Sequence, residues 1–206
     1  MTIRAALFDF GGVILSSPFD AFARYESERG LPPGFIRRLN ATNPHENAWA
    51  RLERSEVDFD TFCALFEDEA RTAGGQLDAR EVMALLAGEL RPAMVEAVRR
   101  CHEKMSTACL TNNFVLDPDG GRRHGDVLDL FHVVVESSRI GVRKPDPRFY
   151  EIACDLLGIE PAEAVFLDDL GVNLKPARAM GMTTIKVDDP DVAIAELEEV
   201  VGFALG

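Results

Sequence analysis

After residue 91 the sequence alternates between helical and strand-like segments, and this alternation constrains the fold more than any other feature. Short apolar runs predict strands at residues 107–110, 132–135, 164–167 and 183–187, with amphipathic segments between them. Repeated βα units with short connections form parallel sheets that helices cover on both faces. The sequence therefore predicts an α/β protein with a doubly wound parallel sheet.

A further apolar run lies at residues 3–15, and one carboxylate and two glycines interrupt it. Asp9 ends a strand-like stretch, and Gly11 and Gly12 follow before the apolar residues resume. A buried strand that delivers an acid to its carboxyl end, followed by a flexible backbone, is how an open α/β sheet presents a reactive group above its strands. Asp9 is therefore a candidate nucleophile, with an ordinary acid in a strand-to-loop turn as the alternative.

Residues 17–91 have a helical character throughout. Apolar residues recur at helical spacing, as at Phe59, Phe62 and Phe66, and glycines and prolines divide the stretch into four or five predicted helices. Because the first strand must join the later sheet, we predict a core of residues 1–16 and 92–206 with a helical cap domain of residues 17–91 inserted after Asp9. Such a cap could exclude water and select substrates, whereas a helical domain packed elsewhere is the alternative.

The charge balance bears on the partners that the chain can have. The formal net charge is −13 at pH 7, so the long-range field repels nucleic acid and anionic lipid, and neither is expected as a partner. The four cysteines contain no C-x-x-C pair, and no apolar run approaches the ~20 residues of a membrane span. With no recognisable signal peptide, we expect a cytoplasmic protein with reduced thiols, while the oligomeric state stays open.

Polar residues follow three of the predicted strands in the second half of the chain. They are Thr111 and Asn112, then Lys144, and then Asp168 and Asp169. Because the carboxyl ends of parallel strands share one edge of the sheet, we expect these residues to converge on Asp9. Taken singly, Lys144 could equally be a surface residue, and the paired aspartates could be a helix cap.

Convergence would place the carboxylates of Asp9, Asp168 and Asp169 within a few ångströms of one another, where they raise one another's pKa values. A hard divalent cation resolves this repulsion, and a site with few carboxylates, water and a phosphate is typical of Mg²⁺. With Asp9 as nucleophile, Lys144 as positive charge and neutral donors at 111 and 112, the set suits attack on a phosphoryl group. The expected substrate is a small phosphorylated compound.

Four short segments resemble the four motifs of the haloacid dehalogenase (HAD) superfamily, in order and across the whole chain. They are DFGGV at 9–13, LTNN at 110–113, RKPDP at 143–147 and FLDDLGVN at 166–173. More narrowly, residues 136–158 and 164–182 are similar to the N-terminal phosphatase domain of soluble epoxide hydrolase and to the HAD domain fused to some acyl-CoA dehydrogenases. The resemblance implies a HAD Rossmann-like core with an inserted helical cap.

The resemblance also implies catalytic and substrate-binding roles. Asp9 would attack phosphorus and become an aspartyl-phosphate. Thr111 would hydrogen-bond the phosphoryl oxygens with Asn112 beside it, and Lys144 would neutralise Asp9 and the phosphate.

For the metal, the resemblance implies a Mg²⁺ ion held by Asp169, with Asp168 as a second ligand or as an acid behind the ligands. One carboxylate oxygen of Asp9 and the backbone carbonyl of Gly11 would complete the protein ligands. Any residue type can supply that carbonyl.

The sequence departs from the family pattern at Gly11. Phosphatases of the family usually carry a second aspartate there, which protonates the leaving group and later activates water, and such a group contributes about 10²- to 10⁴-fold in rate. A phosphatase with weakened acid–base catalysis is therefore the leading hypothesis. The alternatives are a non-catalytic HAD fold kept for binding or regulation and, less favoured, a haloacid dehalogenase.

Overall fold

Five parallel strands form a sheet in the computed structural model, which describes residues 2–115 and 124–206. The strands are β1 (Ala5–Phe8), β2 (Ser106–Thr111), β3 (Val133–Glu136), β4 (Ala164–Asp168) and β5 (Thr183–Lys186). Their order across the sheet is β3-β2-β1-β4-β5, and all four neighbouring pairs are parallel. The predicted α/β class and parallel sheet are confirmed.

Eleven α-helices lie in the described residues. They are α1 (Phe19–Glu28), α2 (Phe35–Ala41), α3 (Ala48–Glu53), α4 (Phe59–Thr72), α5 (Ala79–Ala84), α6 (Pro92–His102), α7 (Gly125–Leu128), α8 (Ser137–Ile140), α9 (Pro147–Leu157), α10 (Gly171–Ala179) and α11 (Pro190–Val201). The sequence did not predict α8, whose four residues are too few to show a helical period.

Both faces of the sheet are covered, as a doubly wound sheet requires. Along β1, Ala6 and Phe8 pack into one hydrophobic cluster with residues of α6 and α11. The alternate residues Ala5 and Leu7 pack into a second cluster with residues of α9 and α10. Because side chains alternate across a strand, a strand buried on both faces must be apolar at every position, which explains the uninterrupted run before Asp9.

Residues 19–87, here called the helical insertion, carry helices α1 to α5 and a hydrophobic cluster of their own. The ring centroids of Phe62 and Phe66 lie 5.4 Å apart, and the Trp49 ring meets both rings edge-on. The predicted aromatic stripe is therefore part of the packing of the insertion, and its five α-helices agree with the four or five that were predicted.

Two chain segments connect the insertion to the sheet, and they run side by side. Leu15 and Leu90 form an antiparallel bridge. The Ser16 N–H donates to the Glu89 carbonyl at 2.8 Å, and the Arg91 N–H donates to the Ile14 carbonyl at 2.9 Å. The insertion thus leaves and re-enters the core at one place. None of the described helices has both the length and the apolar character that crossing a membrane would require.

Candidate active site

The carboxyl ends of the strands bring the acidic residues together at one edge of the sheet. Asp9 directly follows β1, and its N–H donates to the Leu167 carbonyl at 2.8 Å, so the pairing of β1 with β4 continues one residue beyond the strand. Asp168 ends β4 and Asp169 follows it. Each of the three aspartates offers one carboxylate oxygen to a group in which all such atoms lie within 4.8 Å of one another.

Lys144 is buried among these carboxylates, with 1% of its surface exposed. Its Nζ lies 2.9 Å from Asp9 Oδ1 and 2.8 Å from Asp168 Oδ2. Burial alone would lower the pKa of the ammonium group, but the attraction of Asp168 and Asp9 outweighs it and raises that pKa above its ordinary value. Lys144 is therefore a buried cation shared between two aspartates, and not a surface residue.

The backbone of Lys144 is fixed by the side chain of Asn112. Asn112 Nδ2 donates to the Lys144 carbonyl at 3.0 Å, and Asn112 Oδ1 accepts from the Lys144 N–H at 2.8 Å. Both polar atoms of this amide are thus used within the protein. Thr111, the last residue of β2, is half-buried, and its hydroxyl has no hydrogen-bond partner among the described residues, so it can donate to a ligand.

Asp168 is fully buried, and donors from the protein occupy both of its oxygens. Oδ1 accepts from the Leu170 N–H at 2.8 Å and from Asn173 Nδ2 at 3.0 Å. Oδ2 accepts from Lys144 Nζ and, at 3.0 Å, from Asn173 Nδ2. A carboxylate with four contacts from three donor groups is satisfied without a metal ion.

Asp169 differs from Asp168 in the hydrogen bonds that its carboxylate accepts. No residue in the described parts of the chain donates a side-chain hydrogen bond to its carboxylate, and burial followed by the charge of Asp168 raises the pKa of Asp169 to about 6. Its side chain packs directly on Gly12, where a Cβ atom would lie 2.3 Å from Asp169 Oδ2. Gly12 also has a φ of +77°, so both the space and the backbone require glycine at this position.

The pKa of Asp9 is raised well above its ordinary value. Burial is the main cause, Lys144 opposes it, and the charges of Asp168 and Asp169 add to it. A divalent cation would relieve the repulsion among the three carboxylates, and oxygen ligands of this kind suit a hard cation. The residues present therefore fit a metal ion.

Gly11 differs from Gly12 in both backbone and surroundings. Its φ of −70° is accessible to any residue, and no atom lies within 4 Å of the position that a Cβ would take. The expectation of a turn that needs flexible backbone thus applies to Gly12 alone. A Cβ atom would fit at position 11, so steric hindrance at Cβ does not explain why this position has no acidic residue.

The helical insertion contacts the core beside Lys144. Arg143, the preceding residue, pairs through Nε with Glu53 of α3 and donates from Nη1 to the Pro44 carbonyl at 2.8 Å. Glu53 also accepts from Trp49 Nε1 at 3.0 Å, and the Ser55 hydroxyl donates to the Ser138 carbonyl at 2.9 Å. Burial raises the pKa of Glu53 although Arg143 lies beside it.

Sequence reasoning missed three groups around the site. Asn173 lies within the FLDDLGVN segment, where its position five residues after Asp168 could have marked it as a partner. Arg91 donates from Nη1 to the Gly12 carbonyl at 2.7 Å, and neither this contact nor the Glu53–Arg143 pair leaves a signal in the sequence, because each joins residues far apart in the chain.

Comparison with known proteins gives relatives over nearly the whole chain. The chain is 36% identical over 211 residues to acyl-CoA dehydrogenase family member 10 from Mus musculus, covering 98% of the chain and 19% of that protein. It is 35% identical over 221 residues to bifunctional epoxide hydrolase 2 from Sus scrofa, covering 100% of the chain and 40% of that protein. The chain thus spans less than half the length of these two relatives.

Other relatives are named for single activities. Phosphatase MT3486 from Mycobacterium tuberculosis is 32% identical over 200 residues, which cover 91% of the chain and 88% of that protein. (S)-2-haloacid dehalogenase 1 from Pseudomonas sp. is 30% identical over 83 residues, 40% of the chain and 37% of that protein. Phosphatases and a dehalogenase are therefore both among the relatives.

Solved structures share the fold at low sequence identity. A predicted HAD-like family hydrolase from Porphyromonas gingivalis matches with a TM-score of 0.65 and 20% identity, covering 98% of both chains. A HAD family enzyme from Bacteroides thetaiotaomicron, in complex with magnesium and inorganic phosphate, matches with a TM-score of 0.58 and 17% identity, covering 89% of this chain and 93% of that one. The family model of haloacid dehalogenase-like hydrolases matches residues 3–181, and the chain belongs to this family.

Proposed function

We propose that the chain is a Mg²⁺-dependent phosphohydrolase that acts on small phosphorylated metabolites through an aspartyl-phosphate on Asp9. The observation that carries this proposal is the Lys144 ammonium group, which bridges Asp9 and Asp168 beside the carboxylate of Asp169, to which no side chain among the described residues donates. A cation, a nucleophile and a metal-binding carboxylate in one buried group are what transfer of a charged phosphoryl group requires.

In this mechanism Asp9 attacks phosphorus with its free carboxylate oxygen and displaces the leaving group. Lys144 holds the other oxygen, favours the ionised form of Asp9 against the effect of burial, and offsets the charge of the incoming phosphate. The Thr111 hydroxyl donates to the phosphoryl oxygens. Asn112 serves this step by holding the Lys144 backbone, to which its side-chain amide donates one hydrogen bond and from which it accepts another.

Mg²⁺ would be held by Asp169, one oxygen of Asp9 and the Gly11 carbonyl. Asp169 is favoured over Asp168 as the ligand because protein donors occupy both oxygens of Asp168. When bound, the ion would supply positive charge for the phosphoryl oxygens and remove the repulsion among the carboxylates. Asp168 then acts behind the ligands, by orienting Lys144.

Because Gly11 carries no acid, the leaving group must depart without a proton from this position. Acyl and aryl phosphates, whose leaving groups are stable anions, are therefore the favoured substrates over alkyl phosphates. Water that attacks the aspartyl-phosphate also lacks its usual base, so the intermediate should persist and give a burst followed by slow turnover. We further propose that the helical insertion is a cap that excludes water and selects the substrate.

The test is a panel of acetyl phosphate, p-nitrophenyl phosphate, glucose 6-phosphate and 2-chloropropionate, assayed with Mg²⁺ and with chelator. We expect phosphate release that requires Mg²⁺ and is lost in Asp9→Asn, a nearly isosteric change that removes the nucleophile. Lys144→Ala should also lose at least about 10²-fold, since a charge facing the phosphate goes unneutralised.

Other outcomes of this panel contradict the proposal. Chloride release without Mg²⁺ would identify the dehalogenase that the shorter match suggests. No release of phosphate or chloride from any compound would favour a non-catalytic HAD fold kept for binding or regulation. More than a few per cent of wild-type turnover in Asp9→Asn would require a different nucleophile.

A further inference from the structure

Tyr150 of α9 is fully buried, and the mechanism above does not use it. Its hydroxyl donates to the Asn173 carbonyl at 2.7 Å. Asn173 in turn donates from Nδ2 to both oxygens of Asp168, which accepts from Lys144, whose Nζ contacts Asp9. An unbroken series of buried contacts thus runs from Tyr150 to the nucleophile.

The first turn of α10, which carries Asn173, depends on support from outside the helix. Pro176 lies inside α10 and has no N–H, so the turn loses the hydrogen bond that residue 176 would otherwise donate to the Val172 carbonyl. Turns at helix ends also open more easily than helix centres. The bond from Tyr150 ties this turn to α9, and burial raises the pKa of Tyr150, so its hydroxyl stays a donor at neutral pH.

A second contact connects Tyr150 with Lys144. The Tyr150 ring meets the Phe166 ring edge-on with centroids 5.6 Å apart, and Lys144 Nζ lies 5.4 Å from the centroid of Phe166. Tyr150 therefore supports the ammonium group both through the Asn173–Asp168 pair and through the aromatic ring beside it. Phenylalanine would preserve the ring contact and remove the hydrogen bond.

We propose that Tyr150 is a positioning residue, which acts through Asn173 to fix Asp168 and thereby the place of Lys144 between the two aspartates. The proposal rests on the proposed function for its catalytic consequence. Its structural content is that the Tyr150 hydroxyl restrains the Lys144 ammonium group.

Tyr150→Phe tests this, and the chain offers a matched control in its second tyrosine, Tyr25, whose oxygen accepts from the Asp78 N–H at 2.8 Å in the helical insertion. Each variant removes one buried, hydrogen-bonded tyrosine hydroxyl. We expect kcat for p-nitrophenyl phosphate to fall about five- to tenfold in Tyr150→Phe, with KM within about twofold, and to stay unchanged in Tyr25→Phe. Equal kcat values in the two variants would overturn the proposal.

A direct readout is hydrogen exchange of the Lys144 ammonium group, followed by NMR of ¹⁵N-labelled lysine side chains and assigned with Lys144→Met. Exchange should be at least about fivefold faster in Tyr150→Phe than in wild type or Tyr25→Phe. Unchanged exchange would show that the hydroxyl does not restrain Lys144. This measurement does not require catalytic activity. If wild type releases no phosphate, the proposed function is wrong, but the exchange rates still decide whether the Tyr150 hydroxyl restrains Lys144.

A double variant separates positioning through Asn173 from a general loss of stability. Asn173→Ala removes both contacts to Asp168 and keeps the carbonyl that accepts from Tyr150. If Tyr150 acts through the Asn173 side chain, adding Tyr150→Phe to Asn173→Ala should not accelerate exchange further. Acceleration by the same factor in both backgrounds would mean that Tyr150 acts by another route and would contradict the proposal.

Discussion

The ammonium group of Lys144 contacts two carboxylates, and neighbouring side chains hold it in this position. Asn112 holds the backbone of Lys144, and Asp168 holds its Nζ with every remaining oxygen position filled. The side-chain polar atoms of both residues are thus already used within the protein. Their substitution should act by moving Lys144, whereas in the proposed mechanism Asp169 and the Gly11 carbonyl bind the metal ion directly.

Gly11→Asp should raise the turnover of alkyl phosphates, because it restores an acid where the family usually has one and the first side-chain carbon has open space. We expect a gain of about 10-fold or more in kcat for glucose 6-phosphate, with a smaller effect on acetyl phosphate. Gly11→Ala provides the control for the side chain itself. No gain, together with equal wild-type rates on alkyl and aryl phosphates and no burst, would show that another acid already serves the reaction.

Gly12→Ala, one residue further along the chain, should destabilise the folded protein. A Cβ there would meet Asp169 Oδ2 at 2.3 Å in a backbone conformation that L residues rarely adopt. We expect a loss of about 1 to 3 kcal/mol in the free energy of unfolding, measured in urea, and weaker stabilisation by Mg²⁺. Stability equal to that of Gly11→Ala would contradict the close packing of Asp169 on Gly12.

Asp169→Asn should change how stability depends on pH when Mg²⁺ is absent. The pKa of Asp169 is raised from 3.8 to about 6, so the folded protein holds this proton more tightly than the unfolded chain, and Asp169 destabilises the fold progressively as pH rises from about 4 to about 6. Between about pH 4 and pH 6.5 the variant should gain on the order of 1 to 3 kcal/mol relative to wild type, measured in urea with chelator. A difference independent of pH would contradict the raised pKa.

The same variant tests the metal ligand. Mg²⁺ binds the folded state alone in this proposal, so it should raise the melting temperature of wild type and hardly that of Asp169→Asn. Asn112→Ala should retain most of the rise, since the Asn112 side chain binds the Lys144 backbone. Equal melting of wild type with Mg²⁺ and with chelator would refute the metal assignment.

Among the elements, the short helix α3 contacts the loop that carries Lys144. Its last residue, Glu53, is buried against Arg143, which lies next to Lys144 in the chain. The contact joins the helical insertion to the loop that carries Lys144. A displacement of the insertion would therefore act on the loop that carries Lys144.

Glu53→Met and Arg143→Met should each cost on the order of 2 to 4 kcal/mol in the free energy of unfolding, because each leaves a buried charge without its partner. The double variant should recover at least about half of the summed loss, since two apolar side chains replace the pair. Unfolding in urea measures all three. The matched pair is Arg54 and Glu56, which lie within the insertion with Glu56 44% exposed, and should show coupling below about 1 kcal/mol. Additive losses at Glu53 and Arg143 would contradict the coupling.

The sequence predicts which elements meet, but not how side chains turn once they meet. The apolar strands, each followed by polar residues, were sufficient to predict that Asp9, Lys144 and Asp168 converge, because parallel topology fixes which strand ends are neighbours. The orientation of Asn112 towards the Lys144 backbone depends on the loop between α8 and α9, which no periodic pattern describes. The Tyr150–Asn173 bond likewise depends on how α9 packs on α10.

For the molecule as a whole, the charge conflicts with the proposed substrate. The net charge is −13, so the long-range field repels phosphate compounds, and within the site Lys144 already serves two carboxylates. Attraction of an anionic substrate must therefore come from local groups and a bound cation. Salt, which screens the distant charges most, should assist binding.

We expect kcat/KM for p-nitrophenyl phosphate to rise about two- to fivefold when NaCl is raised from about 10 to about 150 mM at constant Mg²⁺. The effect should lie in kcat/KM, since the field acts on approach of the substrate and not on the bound complex. Potassium sulfate at equal ionic strength serves as the control for specific effects of chloride. A fall in kcat/KM with either salt would mean that a local positive field dominates the approach.

The antiparallel bridge between Leu15 and Leu90 joins the two ends of the core without using any residue of the insertion. Since the two connecting segments are already hydrogen-bonded partners, more than seventy residues occupy the place of a hairpin loop, and their removal or exchange would leave the ends of the core at the same separation. Such a junction would let one scaffold accept different insertions by recombination, without any change to its strands.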